Sequence, residues 1–174
     1  EDPEKNPWVP PKHTGAMNRI AIVGAGLAGA WVAHAFAQRG IAVTLFEKDR
    51  PASGASGNLQ AITYAKLSIE ATPNSLIQMQ SLAHLSQWFR RFAPDHWQQS
   101  GVLLLAQNDR TRSHQGKLLA GLPDSYLQMQ SVSRSDASDL AGLSLNYGGL
   151  FLPDAGWLNP KGCVSELLTN PLIK

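Results

Sequence analysis

The chain has 174 residues, with 15 Lys and Arg against 13 Asp and Glu, a formal net charge of +2. A hydrophobic fraction of 43% beside 16% charged residues describes a globular chain able to bury a core and excludes an intrinsically disordered one. So small a charge gives no bulk reason to invoke nucleic acid or an anionic membrane, though it leaves room for a local basic patch. The single cysteine, Cys163, can form no internal disulfide and no metal site alone, which fits a reducing, cytoplasmic setting. Glu1-Asp2-Pro3-Glu4 is acidic, the opposite of a secretory signal, and a start at Glu is expected of a processed or excised chain.

Residues 1–16 read as a linker, since Pro3, Pro7, Pro10 and Pro11 favour extended backbone. Residues 20–23 form an apolar run suited to a strand buried on both faces. An Ala-rich helix over 27–39 follows, stopped by Gly40, and a second buried strand over 41–46 ends at Glu47. Strand, helix and strand at this spacing make a βαβ unit with parallel strands and a right-handed crossover. Residues 20–37 lack Asp, Glu, Lys and Arg, but their Ala and Gly content is too weakly apolar for a membrane span.

Residues 51–61, small and polar, read as a loop. Thr72-Pro73-Asn74 opens a long helix whose apolar face is Met79, Leu82, Leu85, Phe89 and Phe92, ended by Pro94. Further on, the pattern predicts a strand over 102–106, a polar loop over 107–115, a brief helix over 117–121 and a strand over 126–132. A capped helical turn over 135–140, a strand over 149–152 and a helix from Asn159-Pro160 to residue 168 complete the chain.

Gly24-Ala25-Gly26-Leu27-Ala28-Gly29 spells G-x-G-x-x-G between a strand and a helix, the context in which that motif binds a dinucleotide. Gly24 permits the tight turn, Gly26 lets the backbone approach a pyrophosphate, and Gly29 lets the helix pack closely on the sheet. The helix start at Leu27 and Ala28 offers unpaired N–H groups and the positive dipole end to phosphate. Glu47, about 20 residues on, is placed to accept from ribose hydroxyls and disfavours a 2′-phosphate, leaving NAD and FAD open. Ser53-Gly54-Ala55-Ser56-Gly57-Asn58 then stands where an NAD domain would enter its next crossover helix; an extended loop is expected there instead.

With these residues in view, the stretches 20–49 and 52–58, and later Asp154-Ala155-Gly156-Trp157-Leu158-Asn159-Pro160, resemble the FAD-dependent D-amino-acid-oxidase-like family of amine oxidases. Residues 52–68 are similar to a tRNA-modifying branch of it. The resemblance implies an α/β fold: a Rossmann-like FAD-binding βαβ domain, the N-terminal part of an interleaved flavin amine-oxidase fold. Gly24, Gly26 and Gly29, with Leu27 and Ala28, would surround the FAD pyrophosphate; Glu47 would hold the adenosine ribose and Lys48 would lie near the adenine. Ala55, Ser56 and Asn58 would line the path to the isoalloxazine ring, with Gln60 close behind. The substrate implied is tRNA carrying carboxymethylaminomethyl-uridine at the wobble position, which loses its carboxymethyl group. The flavin takes a hydride from the carbon beside nitrogen, the imine hydrolyses, and oxygen reoxidises the flavin.

That branch also implies a methyltransferase domain upstream, residues 1–14 being the tail of an interdomain connection. Family members run to about twice this length or more, so residues 17–174 are expected to be an incomplete oxidase domain with weak flavin retention and no turnover in isolation. An oxidase of a free amino acid or N-methyl amine, an NAD-dependent dehydrogenase, and a non-catalytic nucleotide-binding fragment are the rival readings.

His13, His34, His84, His96 and His114 show no zinc-site spacing, and no metal is expected. His34 reads as a packed residue, and Ser56 lacks the setting of a hydrolase nucleophile. Lys66 and two basic runs, Arg90-Arg91 and Arg110, Arg112, His114, Lys117, read first as solvated, with substrate carboxylate or tRNA phosphate as the functional alternative.

Overall fold

The computed structural model describes residues 15, 18–69, 72–121 and 128–174. Apart from Gly15, the linker expected at 1–16 lies outside the described residues, as do residues 126–127 of the expected strand over 126–132. In chain order the elements are β1 (Arg19–Val23), α1 (Leu27–Ala37), β2 (Ala42–Phe46), β3 (Ala61–Thr63), α2 (Pro73–Phe92), β4 (Trp97–Gln98), β5 (Val102–Leu105), α3 (Asp109–Gly121), β6 (Gln130–Val132), α4 (Arg134–Ala141), β7 (Gly149–Leu152), β8 (Gly156–Leu158) and α5 (Pro160–Leu167). No described helix is long and apolar enough to cross a membrane.

The βαβ unit forms as expected, but β1 is not buried on both faces: Ile20 and Ile22 are half-buried, while Ala21 and Val23, the latter 88% exposed, lie open. β1 and β2 pair in parallel, Ile20 opposite Val43 and Ile22 opposite Leu45. Ala33 and Ala37 of α1 are buried against Ile20, Ile22 and Val43, because methyl side chains let the helix axis approach the strands. Gly40, at φ +76°, turns the chain into β2.

The far edge of β2 is occupied by the chain's last residues. The amides of Val43 and Leu45 donate to the carbonyls of Leu172 and Lys174, both at 2.8 Å, and the Lys174 amide donates back to Val43 at 3.0 Å. α5 packs against α1 and carries the chain from β8 to a parallel bridge beside β2, Ile173 opposite Val43.

Two antiparallel sheets complete the fold, with β8 between β3 and β4, and β7 between β5 and β6. α2 begins at Thr72, whose hydroxyl accepts from the Ser75 amide at 3.2 Å, with Pro73 in its first turn. Met79, Leu82 and Phe89 are buried as expected, but Phe92 is 47% exposed and Trp88 is buried in its place. The seam runs Met79, Leu82, Ser86, Phe89, and Phe92 falls beside it, resting on Trp88.

The polar stretch expected as a loop over 107–115 is the first half of α3. Asn108 starts the helix, its side-chain oxygen accepting from the Thr111 amide at 2.8 Å. Gln115 is buried there because its amide donates to the Leu104 carbonyl at 2.8 Å, so a polar residue serves as a core position. α4 is longer than the turn expected over 135–140. Its cap is Ser133, in a reciprocal pair with Asp136, and Gly142 ends it at φ +66°.

Candidate dinucleotide site

The turn from β1 into α1 is built on glycine for steric reasons. Gly24 sits at φ +97° and donates its amide to the Phe46 carbonyl at 2.7 Å, leaving β1 while tied to the end of β2. A Cβ on Gly29 would stand 1.9 Å from the Gly24 carbonyl oxygen, so α1 can start this close to β1 only with glycine there. A Cβ on Gly26 would meet the Ser56 hydroxyl oxygen at 3.0 Å, because the loop over 53–58 folds back onto the helix start.

Two side chains lock this turn. Glu47 Oε2 accepts from the Ala25 amide at 2.8 Å, while Oε1 accepts from the amides of Lys48 at 2.9 Å and Asp49 at 3.3 Å. The Ala25 bond, then those from Asp49 and Lys48 and the Lys48 charge, hold the carboxyl below its ordinary pKa against the opposing effect of partial burial. Three of roughly four acceptor positions on a carboxylate are thereby used, and one on Oε2 stays open to a ribose hydroxyl. Ser56 Oγ accepts from the Leu27 amide at 2.9 Å, binding the 53–58 loop to the first turn of α1.

Ala25 and Ala52, which the sequence reading passed over, are the hub between the two loops. The Ala52 amide donates to the Ala25 carbonyl at 2.9 Å, and Ala52 reaches that position at φ +57°, a strained region for a residue with a Cβ. No sequence signal marks it beyond the small-residue run over 52–57.

Of the four amides at the start of α1, that of Leu27 is engaged by Ser56, while those of Gly26, Ala28 and Gly29 meet no acceptor among the described residues. Three free donors at a helix start, a glycine cradle that a Cβ would fill and an ionised acid at the end of β2 suit the pyrophosphate and ribose of a dinucleotide. Beyond β2 there is no crossover helix. Residues 51–60 run as turns with one short 3₁₀ stretch at Ala55–Gly57 and enter β3, as expected of an FAD-type rather than an NAD-type unit.

The remaining candidates are dispersed. Ala55 lies in the 3₁₀ stretch, and Lys48 and Gln60 are exposed. Asn58 joins Arg50, Ser53, Lys161 and Ser165 around a cleft of about 690 Å³ between this loop and α5. His34 packs among Trp31, Trp88 and the Leu167 carbonyl, 3.2 Å from Nδ1. Cys163 lies on the buried face of α5, and that burial raises its pKa to about 11, which keeps the thiol protonated and unreactive. No three described His, Cys, Asp or Glu side chains are grouped to hold a metal ion.

The sequence profile of the family described as FAD dependent oxidoreductase (DAO) matches residues 19–170. The chain is 39% identical over 171 residues to the tRNA 5-methylaminomethyl-2-thiouridine biosynthesis bifunctional protein MnmC of Chromohalobacter salexigens, covering 96% of this chain and 24% of that protein. Its counterpart of the same name in Chromobacterium violaceum is 40% identical over 172 residues, covering 96% and 26%. The chain thus spans about a quarter of the length of these relatives. Among solved structures, glycine oxidase from Geobacillus kaustophilus superposes with a TM-score of 0.68 at 22% identity over 86% of this chain and 42% of that one. Amadoriase I from Aspergillus fumigatus gives 0.71 at 15% identity over 95% and 41%, a likeness of fold.

Proposed function

This chain belongs to the DAO family of FAD-dependent oxidoreductases, and from that premise we propose that residues 17–174 are the opening part of a tRNA-modifying oxidase. The enzyme removes the carboxymethyl group from carboxymethylaminomethyl-uridine at the wobble position of tRNA, and a methyltransferase domain lies in the same polypeptide. The observation that carries this reading is the 39–40% identity to bifunctional tRNA-modifying proteins along 96% of the chain.

The chain's own residues bind and orient. The free amides of Gly26, Ala28 and Gly29 hold the FAD pyrophosphate at the positive end of α1, where no charged side chain is required. Glu47 uses its open Oε2 position for an adenosine ribose hydroxyl, next to Lys48, and its charge excludes a 2′-phosphate. Ala55, Ser56, Asn58 and Gln60 carry the chain along the cofactor away from the pyrophosphate. When bound, FAD supplies the acceptor for the hydride leaving the carbon beside the amine nitrogen.

The test is a visible spectrum of the full-length protein, chromatography of the released cofactor, and anaerobic addition of tRNA carrying the modified uridine. Stoichiometric FAD that the tRNA bleaches is the expected result. FAD bleached only by free amino acids would keep the family and overturn the tRNA substrate.

A further inference from the structure

Two clefts share a wall beside α3. One, of about 690 Å³, lies among Ile69, Asn108, Arg110, Thr111, His114 and Lys117; the other, of about 540 Å³, lies among Tyr64, Lys66, Thr111 and His114 above a floor of leucines from β5 and β7. Thr111 and His114 line both, so they form one groove between α3 and the segment 64–69. Arg110, His114 and Lys117 lie on one helix face at i, i+4 and i+7, with Gln115 and Leu118 buried behind. Lys66 faces them from the opposite bank.

Among the described residues no Asp or Glu lines either cleft, and no carboxylate lies within ion-pair distance of Lys66, Arg110 or Lys117. Asp109, next to Arg110 in sequence, pairs with Arg112 at 3.7 Å. The other basic run differs. Arg90 lies over the Trp97 ring and donates to Gln99, and Arg91 lies over Phe92, so both are engaged by neighbours in the chain. Tyr64, 50% exposed at the groove's edge, presents an aromatic ring beside these cations.

We propose that this groove binds single-stranded RNA, the looped-out backbone of the tRNA substrate, with Lys66, Arg110 and Lys117 on phosphates and Tyr64 stacking on a base. The assignment rests on the tRNA reading above. Cations with no carboxylate partner among the described residues fit a polyanion, and an exposed ring among them fits an unstacked base, the two elements by which proteins hold single strands.

The experiment is fluorescence anisotropy of a labelled anticodon stem-loop bound to the full-length protein, titrated across salt. In Lys66→Ala/Arg110→Ala/Lys117→Ala, the slope of log K against log salt should shrink by about 2, the loss of three single-strand phosphate contacts. Arg90→Ala/Arg91→Ala, with its arginines already engaged, should keep the parent slope. Tyr64→Ala should weaken binding about tenfold and Tyr64→Phe should restore it. An unchanged slope in the triple variant, with tRNA still bleaching the parent enzyme, would overturn the groove and leave the oxidase standing. A parent protein that neither binds the stem-loop nor is bleached by tRNA would overturn both.

Discussion

Gly29→Ala sets two physical effects against each other. Gly29 lies in the first turn of α1, and alanine is favoured over glycine in a helix by about 1 kcal/mol, so propensity alone calls for stabilisation. The new Cβ, however, would stand 1.9 Å from the Gly24 carbonyl oxygen, where separations below 3.0 Å are essentially never seen. Helix and strand must part by more than an ångström, and neither atom is the end of a flexible side chain. Overpacking costs about 1–3 kcal/mol, and because the obstacle here is backbone that cannot rotate away, about 2–3 kcal/mol is expected, which outweighs the propensity gain. A net loss of 1–2 kcal/mol lowers the melting temperature of a domain this size by roughly 2–8 °C. Gly116→Ala supplies the opposite sign. It is exposed within α3, nothing stands within 4 Å of its added Cβ, and only propensity acts, for a gain of about 0.5–1 kcal/mol. Both variants are read by urea and thermal unfolding followed by circular dichroism. A Gly29→Ala protein as stable as the parent would refute the steric account of the turn.

Two more outcomes test the locks on the same turn. Because Glu47 has a depressed pKa in the folded chain, its contribution is complete above its unfolded value of 4.5 and is lost as pH falls through the lower folded value. Acid unfolding curves of Glu47→Gln should therefore lack part of the stability loss below pH 4.5, and coincident curves for parent and variant would count against the bonds to Ala25, Lys48 and Asp49. Ser56→Ala removes the acceptor for the Leu27 amide and should cost about 0.5–1.5 kcal/mol, read from denaturant midpoints. The same change removes the oxygen that a Cβ on Gly26 would crowd at 3.0 Å. Gly26→Ala should then cost less in the Ser56→Ala background than in the parent, and strict additivity of the two would refute the contact.

What was legible in the sequence follows from what kind of group does the work. The β1–α1–β2 unit was readable because its determinants are local: apolar strands, an Ala-rich helix, and glycines whose missing side chains are themselves the signal. α3 was misread over 107–115 because its core position, Gln115, is polar and buried only by virtue of the Leu104 carbonyl on a strand that a sequence window does not bring near. β3, β4 and β8 span two or three residues each and exist through one another's pairing, so no local pattern encodes them. The same holds for the final residues beside β2, whose partner lies more than a hundred positions away.

The site divides along the same line. Glu47 and the three glycines were legible, one by its charge and the others by the Cβ they lack. The Ala25–Ala52 bond was not, because it joins two backbone groups and either side chain could be read as filler. Ser56 stands between these cases: its small size was readable, but its partner, the Leu27 amide, was not. That bond makes the 53–58 loop part of the helix start rather than a neighbour to it. A ligand that reorganised the Leu27 amide would therefore have to move Ser56, and with it the 53–58 loop. Donor geometry at the start of α1 and the position of the loop are thus coupled, through the Ser56 hydroxyl and the Ala25–Ala52 bond.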